Sequence, residues 1–435
     1  MKSAVSSAAR FLLTAVLLAA GLACAPPTPA RPTLSSPPSS SWFWYGTAPS
    51  IDFEWQISDA ADDCILEVDT SGDFSDPVLS VPVQGTGYSW MSPPRGAYDW
   101  RVYPSGRPDC SSEARSFDVG PYVASTCGTS GDIPYASAQF MYNGDDYLLL
   151  ACESGLRVVN AGFDGSNAAV VAHVNIGGTC SDIDVKEHYA FVAAGTAGLL
   201  VYDIEDPRSP RELGAVAVPG QGASCVVVYP YVGDWHAYVG SDSGLFVVDC
   251  SILSLPRVVA TVPSSRIGFP LDLAVLGDYL LAATNLWGAG RQGLYCIGIS
   301  DPDHPQVGAY HATDGSAMAV CADYGMIWLA SLPRKLEILN SLPMFAELGE
   351  FELANPPASG SISLSVFGTH AFVGTDKGLE IIDVSPPGDC HRLASIDFPY
   401  VTTSAAASSG LSMAFVTNTI DGLYVVRTPT MNLER

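Results

Sequence analysis

A Gly-Leu pair that returns at nearly regular intervals constrains the fold of this 435-residue chain more than any other feature. Seven copies follow residue 138, one of them degenerate, and successive copies are 42 to 49 residues apart. The copies are Gly155-Leu156, Gly198-Leu199, Gly244-Leu245, Gly293-Leu294, the degenerate Lys335-Leu336, Gly378-Leu379 and Gly422-Leu423. A unit of this length cannot bury a core alone, so such units stack into an array or close into a propeller.

Each copy contains the parts of a four-stranded sheet. In the second copy the strands are GTCSDIDV, HYAFVAAG, GLLVYDIED and RELGAVAV, and residues 206–210 join the last two. The prolines of this connection have no amide hydrogen for a sheet ladder and therefore belong in a turn. Glycine before the third strand suits a tight turn with positive φ. We predict an all-β protein in which residues 120–435 form a seven-bladed β-propeller of four-stranded blades.

The seventh copy lacks an outermost strand, because only PTMNLER follows its third strand GLYVVRT. A strand-like segment, GPYVAST at residues 120–126, precedes the first copy. We predict that this segment supplies the missing strand and joins the two ends of the ring. Closure of this kind leaves no sheet edge exposed to other chains.

The third strands carry a motif that resembles a known repeat. GLLVYDIEDP at residues 198–207 and GLEIIDVSPP at residues 378–387 are similar to the LVIVD repeat, which is named for its apolar strand. The resemblance extends over all seven copies. It implies a β-propeller of the kind found in exported bacterial proteins, and it implies neither an activity nor a cofactor.

The N-terminus indicates export. Residues 1–23 combine a short basic start with the apolar run FLLTAVLLAAGLA, which is too short to span a bilayer. The segment Gly21-Leu22-Ala23-Cys24 resembles a bacterial lipobox, which implies lipidation of Cys24 and an outer-membrane-anchored lipoprotein of the cell envelope. Ordinary cleavage after Ala23 would instead give a secreted or periplasmic protein. Residues 24–41 are rich in Pro and Ser, which predicts a tether.

Residues 42–119 contain short segments in which apolar and polar residues alternate, which predicts a small β-sandwich. The pattern resembles bacterial fibronectin type III-like modules, with Trp55 on an early strand and Trp100 in the segment YDWRV. Both tryptophans are expected in the core rather than on a binding face. Cys64 begins one central strand and Cys110 follows its antiparallel neighbour. We therefore predict a Cys64–Cys110 disulfide, which an exported protein permits.

The repeats carry eight further cysteines, whose pairing the sequence does not give. They are Cys127, Cys152, Cys180, Cys225, Cys250, Cys296, Cys321 and Cys390. Disulfides between some of them and buried thiols throughout are both compatible with the sequence.

The chain is strongly acidic, with a formal net charge of −25. A phosphate backbone or an anionic membrane surface would require a basic patch, so we expect no nucleic acid partner and membrane contact through the lipid anchor only. The sequence contains no HExxH, GxSxG, P-loop or dinucleotide motif and no CxxC pair. We therefore expect no catalytic residues, no metal and no cofactor.

The fourth copy departs most from the repeat pattern. Its turn between the second and third strands is enlarged to NLWGAGRQ, and the preceding connection is PSSRIGFP. With the next copy's turn, these segments are expected to bring four bases and two aromatic residues to one rim: Arg266, Phe269, Trp287, Arg291, Arg334 and Lys335. Such a rim suits an anionic ligand or the acidic patch of a partner. The alternative is a long surface loop with scattered counter-charges.

The residues support two functional hypotheses. In the first, the chain is a non-catalytic binding or scaffold protein whose propeller contacts a protein or glycan of the cell envelope. In the second, it is a hydrolase or lyase that acts on a polysaccharide or small ester at the central channel. The innermost strands offer Asp182, Asp184 and Asp272 as their main ionisable residues, which is little for an active site. The sequence therefore favours the first hypothesis.

Overall fold

The structure is a computed structural model. It describes residues 31–39, 41–44, 50–57, 63–162, 167–231, 234–285, 291–323, 325–340, 345–354, 362–407 and 413–428. Strands dominate these residues, and no helix among them is long and apolar enough to cross a membrane. The chain divides into two compact units that separate between Asp118 and Val119, with the short segment Phe43–Thr47 assigned to the second unit.

The described residues of the first unit form a three-stranded and a five-stranded sheet. The three-stranded sheet has the order β1 (Thr33–Ser36), β3 (Ser50–Gln56), β6 (Gly87–Met91). The five-stranded sheet has the order β2 (Ser41–Trp44), β8 (Arg115–Gly120), β7 (Gly96–Pro104), β4 (Cys64–Asp69), β5 (Leu79–Val83). A 3-10 turn, Pro108–Cys110, follows β7.

Aromatic rings connect these two sheets. Phe53 of β3 lies edge-on to Trp100 of β7 and Phe117 of β8, with ring centres 5.0 and 5.7 Å apart. Trp55 and Trp100 are 2% and 0% exposed, which confirms that both belong to the core. Rings in this edge-to-face arrangement contribute packing energy beyond the area they bury.

The predicted tether, residues 24–41, includes a segment that forms a strand of the first unit. Thr33–Ser36 forms β1 and pairs with β3, so that Leu34 lies opposite Trp55 and is 6% exposed. Burial of this leucine draws the segment into the sheet, although prolines and serines surround it. The export signal, Cys24 and tether residues 24–30 lie outside the described residues.

The predicted Cys64–Cys110 disulfide is not formed, because both residues are buried thiols. β4 and β7 are antiparallel neighbours as predicted, and Cys64 lies opposite Pro104 at the end of β7. Cys110 lies farther along, in the 3-10 turn, where the Arg107 guanidinium donates to its sulfur over 3.5 Å. The turn that follows the strand therefore directs this sulfur toward Arg107. The eight cysteines of the repeats are thiols as well.

The described residues of the second unit form seven four-stranded sheets, numbered here in chain order. Sheet 1 contains β10 (Pro134–Tyr142), β11 (Asp145–Cys152), β12 (Gly155–Gly162) and β13 (Ala169–Asn175). Sheet 2 contains β14 (Asp182–Lys186), β15 (Tyr189–Ala193), β16 (Leu199–Asp203) and β17 (Arg211–Val216). Sheet 3 contains β18 (Cys225–Tyr231), β19 (Asp234–Ser241), β20 (Gly244–Asp249) and β21 (Arg257–Pro263).

A single helical turn, Ser264–Ile267, leads into sheet 4, and a 3-10 turn, Pro387–Asp389, precedes the last strand of sheet 6. Sheet 4 contains β22 (Phe269–Leu276), β23 (Tyr279–Asn285), β24 (Gly293–Gly298) and β25 (Gln306–Ala312). Sheet 5 contains β26 (Ala317–Asp323), β27 (Met326–Ser331), β28 (Lys335–Asn340) and β29 (Glu347–Glu352). Sheet 6 contains β30 (Ser363–Phe367), β31 (His370–Thr375), β32 (Gly378–Asp383) and β33 (His391–Asp397). Sheet 7 contains β34 (Thr402–Ala407), β35 (Met413–Asn418), β36 (Gly422–Arg427) and β9 (Tyr122–Cys127).

The structure explains why a Gly-Leu pair marks each repeat. Gly155 and Gly244 have φ of 145° and 129°, a region that favours glycine, as predicted. A Cβ on Gly155 would collide with the carbonyl oxygen of Val174 in the neighbouring fourth strand. The leucine that follows is fully buried in sheet 1, where it is Leu156. Glycine thus allows the fourth strand to approach, and leucine anchors the third strand between adjacent sheets.

The segment before the first repeat completes the last sheet. Tyr122–Cys127 pairs antiparallel with β36, which confirms the prediction that this segment supplies the missing strand. The first strand of every sheet contacts the first strand of the next sheet, and β34 of sheet 7 contacts β10 of sheet 1. Residues from the beginning and the end of the unit therefore share one sheet.

Removal of the closing strand tests this arrangement. A chain that begins after Thr126 loses most of β9 and exposes an edge of β36, whereas a chain that begins at Val119 retains β9 and its pairing with β36. We expect the melting temperature of the shorter chain to be lower by on the order of 5–10 °C, since ~1 kcal/mol corresponds to roughly 2–4 °C in a domain of this size. Equal melting temperatures of the two chains would contradict the role of β9.

Thiol alkylation tests whether Cys64 and Cys110 are free thiols. Because both thiols are buried, neither should react in the native protein. After unfolding without a reductant, mass spectrometry should find both residues alkylated. Recovery of a Cys64–Cys110 cross-linked peptide from the same sample would show that the disulfide exists.

Candidate functional site

Two adjoining cavities lie among the first strands of the seven sheets. One has a volume of about 330 Å³ and the other about 570 Å³. Asp182 of β14 and Asp272 of β22 line both cavities. We call the two cavities together the channel. Small-molecule sites in proteins measure roughly 300–1,000 Å³, so the channel is the candidate functional site.

Three carboxylates of the channel accept hydrogen bonds from main-chain amides of the following sheet. The pairs, each 2.7 or 2.8 Å apart, are Val226 N with Asp182 Oδ2, Val228 N with Asp184 Oδ2 and Val320 N with Asp272 Oδ2. Asp182 and Asp184 thereby join sheet 2 to sheet 3, and Asp272 joins sheet 4 to sheet 5. The sequence placed these three aspartates on innermost strands correctly, but it did not indicate this role.

The position of the first strands explains the need for these acceptors. The first strand of a sheet has a hydrogen-bonded neighbour on one side only. In sheet 3 the other side of β18 faces no strand of its own sheet, and the amides of Val226 and Val228 lie on that side. A buried amide without an acceptor costs about 1–3 kcal/mol. Between sheets 6 and 7 a hydroxyl serves the same purpose, because Ser365 Oγ accepts from Ala407 N at 3.3 Å.

The surroundings of the channel carboxyls alter their protonation. Burial raises the pKa of Asp272 to about 6 and the pKa of Asp182 to about 8. Asp272 loses its proton first, and its negative charge raises the pKa of Asp182 further, while the amide of Val226 acts in the opposite direction. At pH 7 Asp182 therefore retains its proton, and Asp272 is largely ionised.

Cys225 occupies the position in sheet 3 that Asp182 occupies in sheet 2. Cys225 pairs with Gly240 as Asp182 pairs with Ala193, and its side chain is 1% exposed. Burial raises the pKa of this thiol well above its ordinary value, and the charges of Asp182 and Asp272 add to the shift. Because the thiolate is the reactive form of cysteine, Cys225 is not arranged as a nucleophile.

Two of the six predicted rim residues are held in ion pairs. Arg334 Nη2 lies 2.6 Å from a Glu352 oxygen, and Lys335 Nζ lies 2.6 Å from Glu350 and 3.1 Å from Glu337. The hydrogen bond to Glu350 is the main reason that the pKa of Lys335 is raised. These carboxylates neutralise both bases, so Arg334 and Lys335 add little positive potential to the rim.

Three of the other rim residues lie on segments that meet at Gly268. Arg266 is exposed on the helical turn before this glycine, and Phe269 begins β22 directly after it. A Cβ on Gly268 would lie 3.4 Å from the carbonyl oxygen of Arg291, so the connection runs beside the end of the enlarged turn. Arg291 is also exposed, and Trp287 lies outside the described residues. The structure thus brings the segments of Arg266, Phe269 and Arg291 together.

Charged residues directly after the Gly-Leu pair form a second set of contacts near sheet junctions, which the sequence analysis missed. The contacts are Arg157 Nε with Asp132 at 3.0 Å, Glu337 Oε1 with His311 Nε2 at 3.6 Å, and Glu380 Oε1 with Ala354 N at 3.0 Å. Burial tends to raise the pKa of Glu337, but His311 and Lys335 hold it below its ordinary value. The sequence did contain a signal for these contacts, because the residue directly after the Gly-Leu pair is charged in these three copies and apolar or aromatic in the other four.

Repeated four-stranded sheets around a channel define a repeat β-propeller, and solved structures share this fold. A chain of the mitotic checkpoint complex matches with a TM-score of 0.58 and 14% identity over 72% of this chain and 93% of that chain. The Cps50 (Swd1) β-propeller domain of Myceliophteria thermophila matches with a TM-score of 0.56 and 13% identity, over 72% of this chain and 100% of that chain. The WD40 β-propeller domain of Doa1 matches with a TM-score of 0.53 and 10% identity, over 71% of this chain and 96% of that chain. Identities this low show the fold alone.

The repeats themselves match a family model. Residues 177–218, 228–263 and 360–390, which fall in sheets 2, 3 and 6, match the model described as LVIVD repeat. No curated protein matches the chain. The protein is therefore a repeat β-propeller that carries LVIVD repeats.

Substitution of Asp182 separates its hydrogen bond from its charge. Because its pKa is raised to about 8 from the ordinary value near 4, the native state loses stability as pH rises between these values. Asp182→Asn retains an acceptor for Val226 and cannot ionise. We expect its melting temperature to equal that of the wild type near pH 4 and to exceed it by several degrees at pH 8.

Asp182→Ala provides the comparison for this experiment. It cannot ionise either, but it removes the acceptor and should cost about 1–3 kcal/mol at all pH values relative to Asp182→Asn. A stability difference between wild type and Asp182→Asn that is independent of pH would contradict the assigned protonation.

Proposed function

We propose that this protein is an exported, non-catalytic binding or scaffold protein. A lipid on Cys24 anchors it, the Pro/Ser-rich segment tethers it, and a fibronectin type III-like sandwich follows the tether in the sequence, before the propeller. The propeller has seven blades and contacts a protein or glycan of the cell envelope. The repeat β-propeller fold supports a binding or scaffold role, because such folds present broad surfaces built from many loops.

Several observations support the finer architecture of this proposal. Each of the seven sheets in the described residues supplies one blade, and the contact between β34 and β10 closes the ring. The three-stranded and five-stranded sheets of the first unit supply the two faces of the sandwich, since Phe53 contacts Trp100 and Phe117 between them.

One observation carries the non-catalytic assignment. The carboxyls of Asp182, Asp184 and Asp272 are occupied by main-chain amides of neighbouring sheets at 2.7–2.8 Å. A general acid or base must instead have its reactive oxygen within reach of a substrate proton. These carboxyls therefore serve the cohesion of the ring, and the envelope partner contacts the loops.

A hydrolase or lyase at the channel remains the competing function, because the carboxyl pKa values of about 8 and about 6 are separated as in an acid–base pair. Assays with polysaccharides and small esters distinguish the two functions. We expect no turnover by the wild type. Turnover that falls by ~100-fold or more in both Asp182→Asn and Asp272→Asn would establish the enzyme instead.

The rim around Gly268 is the proposed contact surface, formed by Arg266, Phe269 and Arg291; Trp287, which the sequence assigns to the same rim, lies outside the described residues. We expect the purified protein to capture an acidic partner from envelope extracts, and Arg266→Ala/Arg291→Ala to reduce capture at least tenfold. Arg334→Ala is the matched control, because Glu352 already neutralises that guanidinium. Equal capture by the wild type and the double variant would exclude this surface.

The anchor is tested by mass spectrometry of the mature N-terminus. The proposal requires a chain that begins at Cys24 and carries lipid on its sulfur. A mature chain that begins at an unmodified residue, released into the soluble fraction, would establish a secreted or periplasmic protein and leave the binding role to be judged by the capture experiment.

A further inference from the structure

The smaller cavity of the channel, of about 330 Å³, has a lining rich in hydroxyl groups. We call it the serine chamber. Its serines come from sheets 1, 6 and 7 and from the starts of sheets 2 and 3: Ser137, Ser181, Ser224, Ser363, Ser365 and Ser404. Hydroxyl groups in a cavity lining both donate and accept hydrogen bonds, so a polar ligand can engage them.

The lining of the serine chamber, as described, contains acidic side chains and no basic ones. Asp182 and Asp272 both belong to its lining, and no Lys, Arg or His occurs in that lining as described. Each carboxyl already accepts main-chain amides through both oxygens, Asp182 from Ile183 and Val226. Remaining lone pairs of the carboxyls and the hydroxyl oxygens can still accept hydrogen bonds. The chamber therefore offers acceptors and negative charge.

We propose that the serine chamber binds a primary ammonium group. An ammonium group has three donors and no acceptor, which complements a lining of carboxyl and hydroxyl oxygens. Its charge also attracts the ionised carboxylate of Asp272 and favours ionisation of Asp182, which an uncharged ligand cannot do. The group can belong to a free alkylamine or to a lysine side chain, since both present the same ammonium head.

Binding of the cation is coupled to a proton. In the empty chamber Asp182 retains its proton at pH 7, because burial and the charge of Asp272 raise its pKa to about 8. A bound ammonium group stabilises the ionised carboxylate, so the proton leaves Asp182 for the buffer as the ligand enters. The chamber should therefore release up to one proton for each ammonium group bound. This activity is independent of export and of the rim proposed as a contact surface.

Calorimetric titration of the full chain with n-butylamine at pH 7 tests the proposal. We expect saturable binding, and a binding enthalpy that differs between phosphate and HEPES buffers, because up to one proton is released to the buffer for each ligand bound and the two buffers differ in their heat of protonation. n-Butanol, which has the same carbon chain without the charge, should not bind. Binding of n-butanol with equal affinity would overturn the proposal, as would the absence of n-butylamine binding.

Variants locate the site. Asp182→Asn and Asp272→Asn should each weaken n-butylamine binding at least tenfold, and Asp182→Asn should abolish proton release. Asp184→Asn is the matched control, because Asp184 lines the larger cavity but not the serine chamber, and its affinity should remain within twofold of wild type. Melting curves establish that each variant is folded. Equal weakening by Asp184→Asn would overturn the assignment to this chamber.

A second ligand distinguishes the two sources of the ammonium group. Nα-acetyl-lysine methylamide carries the lysine side chain together with flanking peptide groups. If it competes with n-butylamine, the serine chamber accepts a lysine of a protein. If it does not compete while n-butylamine binds, the ligand is a small free amine. Displacement of n-butylamine by millimolar calcium would show a metal site and contradict the proposal.

Discussion

The free side of each first strand is the constraint on which this propeller depends. A sheet that ends at a channel leaves a row of main-chain amides without ladder partners, and burial makes each unsatisfied amide costly. Here the preceding sheet supplies the acceptors, through Asp182 and Asp184 for sheet 3 and through Asp272 for sheet 5. Adjacent sheets are thereby joined at their inner strands, in addition to the apolar packing between their faces.

This arrangement has an electrostatic consequence. Carboxylates are strong acceptors for amides, but a channel that gathers them brings like charges into a poorly solvated space. The protein accommodates this by retaining a proton on Asp182, whose pKa is raised to about 8. Asp182 and Asp272, which join neighbouring sheets, thus make the stability of the channel sensitive to pH, and they are the carboxyls of the proposed ammonium site. Cohesion of the ring and the chemistry of its channel have a common origin.

Much of the fold could be predicted because its determinants are local. In six of the seven copies the Gly-Leu pair marks a backbone position where glycine lets the fourth strand approach, so the spacing of the pairs predicted the sheets. The missing strand of the last copy pointed to Tyr122–Cys127. Features that depend on distant contacts were not predictable in this way. The 3-10 turn that directs Cys110 toward Arg107 has no clear pattern, and nothing in β14 alone shows that Asp182 lies beside the amide of Val226. Leu34 likewise becomes buried only because β1 pairs with β3, which the residues around Leu34 do not indicate.

Amide hydrogen exchange tests most directly whether channel carboxylates join neighbouring sheets. The amides of Val226 and Val228 lie outside the ladder of β18, so without an acceptor they would exchange rapidly through the channel. We predict that in the native protein both amides exchange as slowly as ladder amides of the same strand, and that Asp182→Ala accelerates exchange at Val226 while Val228, whose amide is bound by Asp184, stays protected. Rapid exchange of both amides in the wild type would contradict the role of the carboxyls as acceptors.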